Sequence, residues 1–385
     1  MIHTELKDSI LYVFPVGRID SANASQVEKE IQDALVAVTF RELVIDAEKL
    51  DYVSSAGLRV ILRLRKSNPT LKIINVSPDV YDILEVTGFT EIVPVTKAYR
   101  KVSIEGCEVI GQGANGKVYR LDEDTVIKVY RDPDCLPDIQ RERELARKAF
   151  ILGIPTAIPY DVVKVGESYG SVFELLNSRS FGKLIAAEPD KVDHYVALYV
   201  ELLQKIHSTE PKPGDMPEMK SVAMKWASFL KDYLPAPEAE RLCDLIRAVP
   251  DRGTMLHGDY HIKNVMMQNG EVLLIDMDTL CTGHPVFEFA SMFLAYQGFG
   301  ENDPSIIPKF LGVSYETATE IWKKTLRLYF KTDDEVLLSQ YEDKARIIGY
   351  ARLMRRTIRR NGMETEEGRQ TIETCKKHII ELPPP

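Results

Sequence analysis

"GQGANGKVYRLDEDTVIKVY" runs from Gly111 to Tyr130, and the element after its glycines decides the fold. Two phosphate-binding folds require a helix there. A Rossmann G-x-G-x-x-G opens a helix and needs an acid at the end of the next strand. A Walker P-loop also opens a helix and places a hydroxyl after its lysine, where this chain has Val118. Instead the sequence continues as "KVYRL", an alternating run with a β-branched residue, then an acidic turn and "TVIKVY". Strand, Gly-rich turn, strand, turn and strand make an antiparallel meander rather than a crossover.

In such a hairpin, Gly111, Gly113 and Gly116 let backbone N–H groups approach phosphates. The arrangement calls for a lysine in the next strand, and Lys128 sits inside its apolar run. A buried ammonium needs a partner. The helical stretch "IQRERELARKAFILG" supplies Glu142 in preference to Glu144, because Leu145, Ala146, Ala149 and Phe150 then share the packed face. The competing reading is a plain hairpin with turn glycines and a snorkelling lysine.

Farther along come "HGDYHIKN" (His257–Asn264) and "LLIDMDT" (Leu273–Thr279). Moving the γ-phosphoryl group of ATP needs a carboxylate at the acceptor hydroxyl and oxygen ligands for Mg²⁺. Asp259 fits the first role, and Asn264 with Asp276 fits the second. An amide coordinates without adding charge to a site already rich in carboxylates. Asp278 supports Asp276, while His257 and His261 brace the loop. Taken singly, each has a plain reading as a solvated acid or a core histidine. Their order along the chain, after the glycines, Lys128 and Glu142, carries the argument.

A length of 385 residues predicts two or three domains. The net charge of -9 argues against general nucleic-acid binding, which needs excess Lys and Arg. The five cysteines are scattered without a C-x-x-C pair, which predicts reduced thiols, no zinc site and a cytoplasmic setting. The first residues lack the pattern of a signal peptide. No apolar run reaches the roughly 20 residues that cross a bilayer.

The first hundred or so residues alternate between strand and helix patterns. "ILYVFPVGRID", "ELVIDAEKL", "LKIINV" and "EIVPV" read as strands, while "NASQVEKEIQDAL", "AGLRVILRLRK" and "SPDVYDILEVTG" read as helices. This alternation predicts one small α/β sheet covered by helices. Within it, "YVSSAGLR" puts Ser54 and Ser55 at a helix start, where serine either caps the helix or the free N–H groups favour an oxyanion.

From about Gly106 onward the chain resembles the aminoglycoside phosphotransferase and choline kinase family, on "HGDYHIKN" and "LIDMDT". The resemblance implies an α+β, protein-kinase-like bilobal domain over 106–385, with an antiparallel-sheet N-lobe (106–176) and a helical C-lobe (177–385). It also implies that adenine bonds a hinge in "VFELLN", around Glu174 and Leu176. Protein-kinase landmarks are missing: Gly258 stands in place of an arginine, and Met277-Asp278 in place of Phe-Gly. "GHPVFEFA" resembles the family's G-D-P-x-x-D-L-A, with His284 and Glu288 at its acidic positions. Residues 1–98 resemble an α/β STAS domain, the fold of bacterial anti-sigma-factor antagonists, joined through a linker at 99–105. That resemblance puts Ser55 at the phosphorylated serine, with Asp20 of "GRID" as its acidic neighbour.

The leading expectation is therefore an ATP- and Mg²⁺-dependent phosphotransferase acting on a small-molecule hydroxyl, with a STAS module for regulation or for docking an anti-sigma factor. Two alternatives remain open. One is a serine kinase or autokinase acting on Ser55. The other is a non-catalytic antagonist switch fused to a nucleotide sensor. The basic stretch "RLMRRTIRR" (352–360) has two readings, contact with a phosphorylated or acidic acceptor and a solvated helix face, of which the second is preferred.

Overall fold

The computed structural model describes residues 2–113, 116–157, 159–175 and 178–381, and the chain divides into two compact units, Met1–Ser103 and Ile104–Pro385. In the first, the order is β1 (Ile2–Lys7), β2 (Ile10–Pro15), β3 (Gly17–Ile19), α1 (Ala24–Ala37), β4 (Glu42–Asp46) and β5 (Leu50–Val53). It continues as α2 (Ser55–Ser67), β6 (Lys72–Val76), α3 (Pro78–Val86), the single-turn α4 (Phe89–Ile92) and β7 (Val95–Lys97). The sheet runs β1-β2-β4-β6-β7, antiparallel at β1/β2 and parallel beyond. Val27 and Ile31 of α1 and Leu58, Ile61 and Leu64 of α2 join Leu11, Val13, Leu43, Ile45 and Ile73 in one buried cluster. These are the i, i+3, i+4 stripes of amphipathic helices laid over alternating strand residues. Ser77 caps α3 by accepting from the Val80 N–H, with Pro78 at the first turn.

Two strand expectations need correction. The run from Ile10 to Asp20 is not one strand, because Pro15 has no N–H to give the ladder and Gly17 turns the chain at φ +80. β3 pairs instead with β5 in a separate two-stranded parallel sheet. "EIVPV" is likewise divided, its first residues ending α4 before β7 begins at Val95.

The second unit opens with β8 (Val109–Gln112), β9 (Gly116–Arg120), β10 (Thr125–Tyr130), α5 (Leu136–Ile151), β11 (Pro159–Val165) and β12 (Ser168–Glu174). These strands form one antiparallel sheet of order β11-β12-β10-β9-β8. Then come β13 (Arg179–Ser180), α6 (Phe181–Ala187), α7 (Val192–His207), α8 (Met219–Leu230), α9 (Ala236–Ala248), β14 (Met255–Leu256), β15 (Val265–Gln268), β16 (Glu271–Leu274) and β17 (Cys281–Thr282). The chain finishes with α10 (Val286–Tyr296), α11 (Ile306–Leu311), α12 (Tyr315–Phe330), α13 (Glu335–Arg359) and α14 (Glu366–Glu381). α10, "VFEFASMFLAY", is buried from Phe287 through Tyr296, as a helix without a polar face must be. α13 packs along it and against α8. No helix among the described residues is long and apolar enough to cross a membrane.

Candidate active site

Lys128 lies mid-strand in β10, between Val118 of β9 and Ser171 of β12. Its ammonium donates to Glu142 at 2.9 Å and 3.2 Å and to Asp276 Oδ1 at 2.9 Å. Glu142, 4% exposed, also accepts from the Tyr130 hydroxyl at 2.5 Å. Burial alone would favour the neutral amine, but the carboxylates of Asp276 and Glu142 outweigh it and hold the Lys128 pKa above its ordinary value. Glu144, two residues on, is exposed and pairs with Lys148 at 2.9 Å. Phe150 does not share the packed face expected for it and is 50% exposed. It follows Ala149 by one residue, about 100° around the helix from the buried 142, 145, 146 and 149 stripe.

The glycines differ in what they do. A Cβ on Gly116 would stand 2.1 Å from the Val129 carbonyl, so the close approach of β9 to β10 itself demands glycine. Gly111 would make ordinary contact with Val118, and Gly113 faces open space while its N–H donates to the Gly116 carbonyl at 3.0 Å. Glu174 ends β12 opposite Thr125, and Leu175 donates its N–H to the Asp124 carbonyl at 2.7 Å. Leu176 lies outside the described residues.

The "HGDYHIKN" loop joins β14 to β15 and is fixed from below by a buried carboxylate. Glu288 of α10, fully enclosed, accepts from the His257 N–H at 2.5 Å and from the Gly258 N–H at 3.0 Å. Burial would raise the Glu288 pKa, but the His207 ring 3.8 Å away, together with the His257 ring and its backbone N–H, holds it below the ordinary value. The Gly258 carbonyl in turn accepts from Ser291 Oγ and Arg352 Nη1, both at 2.9 Å. His257 bonds the Ile275 carbonyl through Nε2 at 3.2 Å, and Thr279 Oγ1 donates to the His257 carbonyl at 2.7 Å. Together these bonds tie the loop to the segment that carries Asp276.

So held, the Asp259 side chain is 41% exposed, with His261 Nε2 3.5 Å from Oδ2. Burial opposes ionisation, yet His261, Arg352 and His257 pull its pKa well below the carboxylate range. Asn264 donates its amide N–H to the Asp259 carbonyl at 3.0 Å, which leaves its amide oxygen to offer elsewhere. Asp276 sits just past β16 in the left-handed region, φ +67, a conformation rare outside glycine and typical of functional turns. Asp278 is pushed up to about 7 by burial and by the Asp276 charge beside it. The structure thus brings together Lys128, Glu142, Asp276 and Asp278 on one side, and Asp259, His261 and Asn264 on the other.

Carboxylates that crowd one another in this way fit a cation. Among the described residues no three His, Cys, Asp or Glu side chains converge as an all-protein metal cage. Mg²⁺ does not need one, because it is commonly held by one or two carboxylates together with substrate phosphates and water. The oxygen-only donors Asp276 and Asn264 suit that ion rather than zinc.

In the first unit, Ser54 and not Ser55 caps α2, its hydroxyl accepting from the N–H groups of Ala56 and Gly57 at 3.2 Å and 3.5 Å. Ser55 begins the helix and is exposed. The Ser54 N–H donates to the Ile19 carbonyl at 2.9 Å, which draws the Asp20 turn toward the helix start. Asp20 itself accepts from the Ala22 N–H at 3.0 Å and pairs with Arg18 at 3.6 Å. Gly57 is required there, since its Cβ would stand 2.8 Å from the Ile19 carbonyl.

The sequence did not reveal the grips of Glu288 and Arg352 on the loop or the Tyr130 bond to Glu142. Glu288 could be located through "GHPVFEFA", but nothing local shows that a helix residue holds backbone N–H groups thirty or so positions away.

Comparison with known proteins agrees with both units. A model described as the phosphotransferase enzyme family matches residues 106–314, and a STAS domain model matches residues 1–103. A Bordetella bronchiseptica protein named as a putative anti-sigma factor antagonist, BtrV, is 39% identical over 95 residues, covering 24% of this chain and 81% of that protein. Among solved structures, the GDP and kanamycin complex of an aminoglycoside 2''-phosphotransferase has a TM-score of 0.50 at 12% identity, covering 77% of this chain and 98% of that one. The apo form of a thermostable mutant of aminoglycoside phosphotransferase APH(4)-Ia gives a TM-score of 0.50 at 13% identity, covering 72% of this chain and 97% of that one. At such identities the likeness is one of fold. On the family match, which spans more than half of the chain, this protein belongs to the phosphotransferase enzyme family and is a kinase-type enzyme of protein-kinase-like fold with a STAS domain ahead of it.

Proposed function

We propose that the chain transfers the γ-phosphoryl group of ATP, with Mg²⁺, to the hydroxyl of a small-molecule acceptor. Residues 1–98 act as a regulatory or docking module, joined through a linker at 99–105. The observation that carries this reading is the ammonium of Lys128, bonded both to Glu142 and to Asp276. One charge joins the glycine-loop sheet, α5 and the acid cluster.

On this reading Lys128, braced by Glu142, exchanges the Asp276 carboxylate for phosphate oxygens of the nucleotide. Gly111, Gly113 and Gly116 line the loop above the phosphates, and the chain around Glu174 and Leu176 meets the base. Asp276 and the Asn264 amide oxygen would hold Mg²⁺, which neutralises phosphate charge when bound. Asp259 aligns the acceptor hydroxyl. The new bond joins the acceptor oxygen to the γ-phosphorus, the bond to the ADP oxygen breaks, and the acceptor proton passes to Asp259. Asp259 is held ionised rather than raised toward neutrality, which suits a transition state so loose that the proton moves late.

The test separates the two carboxylates. Asp276→Asn should weaken Mg-nucleotide binding about tenfold or more, whereas Asp259→Asn should leave binding within about twofold and cut turnover about a thousandfold. Equal loss of nucleotide affinity in the two variants would contradict the assigned roles.

A second reading makes Ser55 the acceptor or the target of another kinase. What favours it is that Ser54 does the capping while Ser55 remains exposed beside the Asp20 turn. Phosphate there would add nearly two negative charges to a docking face for an anti-sigma factor or similar partner.

A further inference from the structure

Five arginines lie within residues 352–360, at the end of α13. Arg352 and Arg356, one helical turn apart, both interact electrostatically with Asp259, and Arg352 bonds the carbonyl just before it. Three of the guanidinium groups rest on rings: Arg352 5.7 Å from the Trp226 centroid, Arg355 5.9 Å from Phe229 and Arg356 5.9 Å from Phe299. Lys263, in the same loop as Asp259, lies 5.5 Å from Phe310, which meets Phe299 edge-on at 5.9 Å. Arg352 and Arg356 of α13 therefore act on Asp259, and Lys263 follows four residues later on the same loop.

Some arginines elsewhere find acids, as Arg63 with Glu28, Arg247 with Asp244 and Arg327 with Glu335, while others, such as Arg65 and Arg241, bond backbone carbonyls. Among the described residues, Lys263, Arg352, Arg355 and Arg356 have no carboxylate oxygen within 4.0 Å. A guanidinium that meets a ring through its π face keeps N–H groups to offer an anion, Arg352 having one of them on the Gly258 carbonyl. Several like charges beside a single carboxylate are not neutralised by it, and a bound anion relieves the repulsion that remains.

We propose that this face binds an anionic group on the acceptor, so that the substrate is an alcohol carrying its own phosphate or carboxylate. Arg352, Arg356 and Lys263 hold the anion, and the acceptor hydroxyl reaches Asp259. The same face repels a polycation. This proposal rests on the reading of Asp259 as the acceptor-side carboxylate.

The test uses the full chain saturated with Mg²⁺ and a non-hydrolysable ATP analogue, so that the γ-phosphate position is filled. Inorganic phosphate is then titrated by calorimetry, with kanamycin as the polycationic comparison. Saturable phosphate binding and none of kanamycin is the expected result. Arg356→Gln and, independently, Lys263→Gln should each weaken phosphate about tenfold, while the neighbouring Arg359→Gln leaves it within about twofold. Absence of saturable phosphate binding, kanamycin binding in its place, or equal loss in Arg359→Gln would overturn the proposal while leaving the nucleotide site standing. Failure of the analogue to bind at all would overturn the kinase reading and this proposal with it.

Discussion

Gly258 shows how closely the catalytic loop is fitted. It adopts φ +80, and a Cβ there would stand 2.5 Å from the Thr279 carbonyl. Gly258→Ala should therefore lower stability by about 1–3 kcal/mol in denaturant unfolding and shift Asp259 from its position, cutting turnover as well. Unchanged stability would mean that the loop accommodates a side chain. At this scale much of the site was legible. Glu142 could be chosen over Glu144 because helix spacing alone separates a buried stripe from an exposed one. Phe150 departs from the expected face because one residue of helix rotation takes it off that stripe, and the neighbouring elements set how wide the covered face is.

Among the elements, α10 positions the loop, and two residues near its start make different predictions. Glu288 satisfies the buried N–H groups of His257 and Gly258. Glu288→Ala leaves both unpaired and should cost about 3–5 kcal/mol, seen as a lowered unfolding midpoint together with lost turnover. Turnover lost at unchanged stability would instead give Glu288 a chemical role. His284, just before α10, accepts from the Val286 N–H through Nδ1 at 3.2 Å. Burial and the charges of Arg252, His207 and Lys344 push its pKa down to about 4. The folded state thus holds this ring neutral, so its stabilising contribution is complete above about pH 6.5 and is lost as pH falls through about 4. His284→Asn should flatten the stability profile between those values, and an unaltered acid slope would exclude His284 as its source. The period-two meander was readable because strand alternation and turn residues are local signals. The location of the 352–360 arginines was not, since it depends on how α13 packs on α8 and α10, far away in sequence.

For the whole molecule, two separate buried clusters, one on each side of residue 103, account for two units that match two different families. The α/β alternation and the meander announced both folds, yet the break between β2 and β3 needed the pairing of β3 with β5 to become visible. The small-molecule reading predicts no gain in intact mass when the chain alone is incubated with Mg-ATP. A one-phosphoryl gain mapping to Ser55 and absent from Asp259→Asn would favour the autokinase reading instead. The most direct test of the kinase centre is the slow release of ADP from ATP by the full chain, with water standing in for the acceptor hydroxyl beside Asp259, measured with and without Mg²⁺ and beside Asp259→Asn. The account predicts Mg-dependent release in the wild type that falls about a thousandfold in the variant, and equal rates in the two proteins would contradict it.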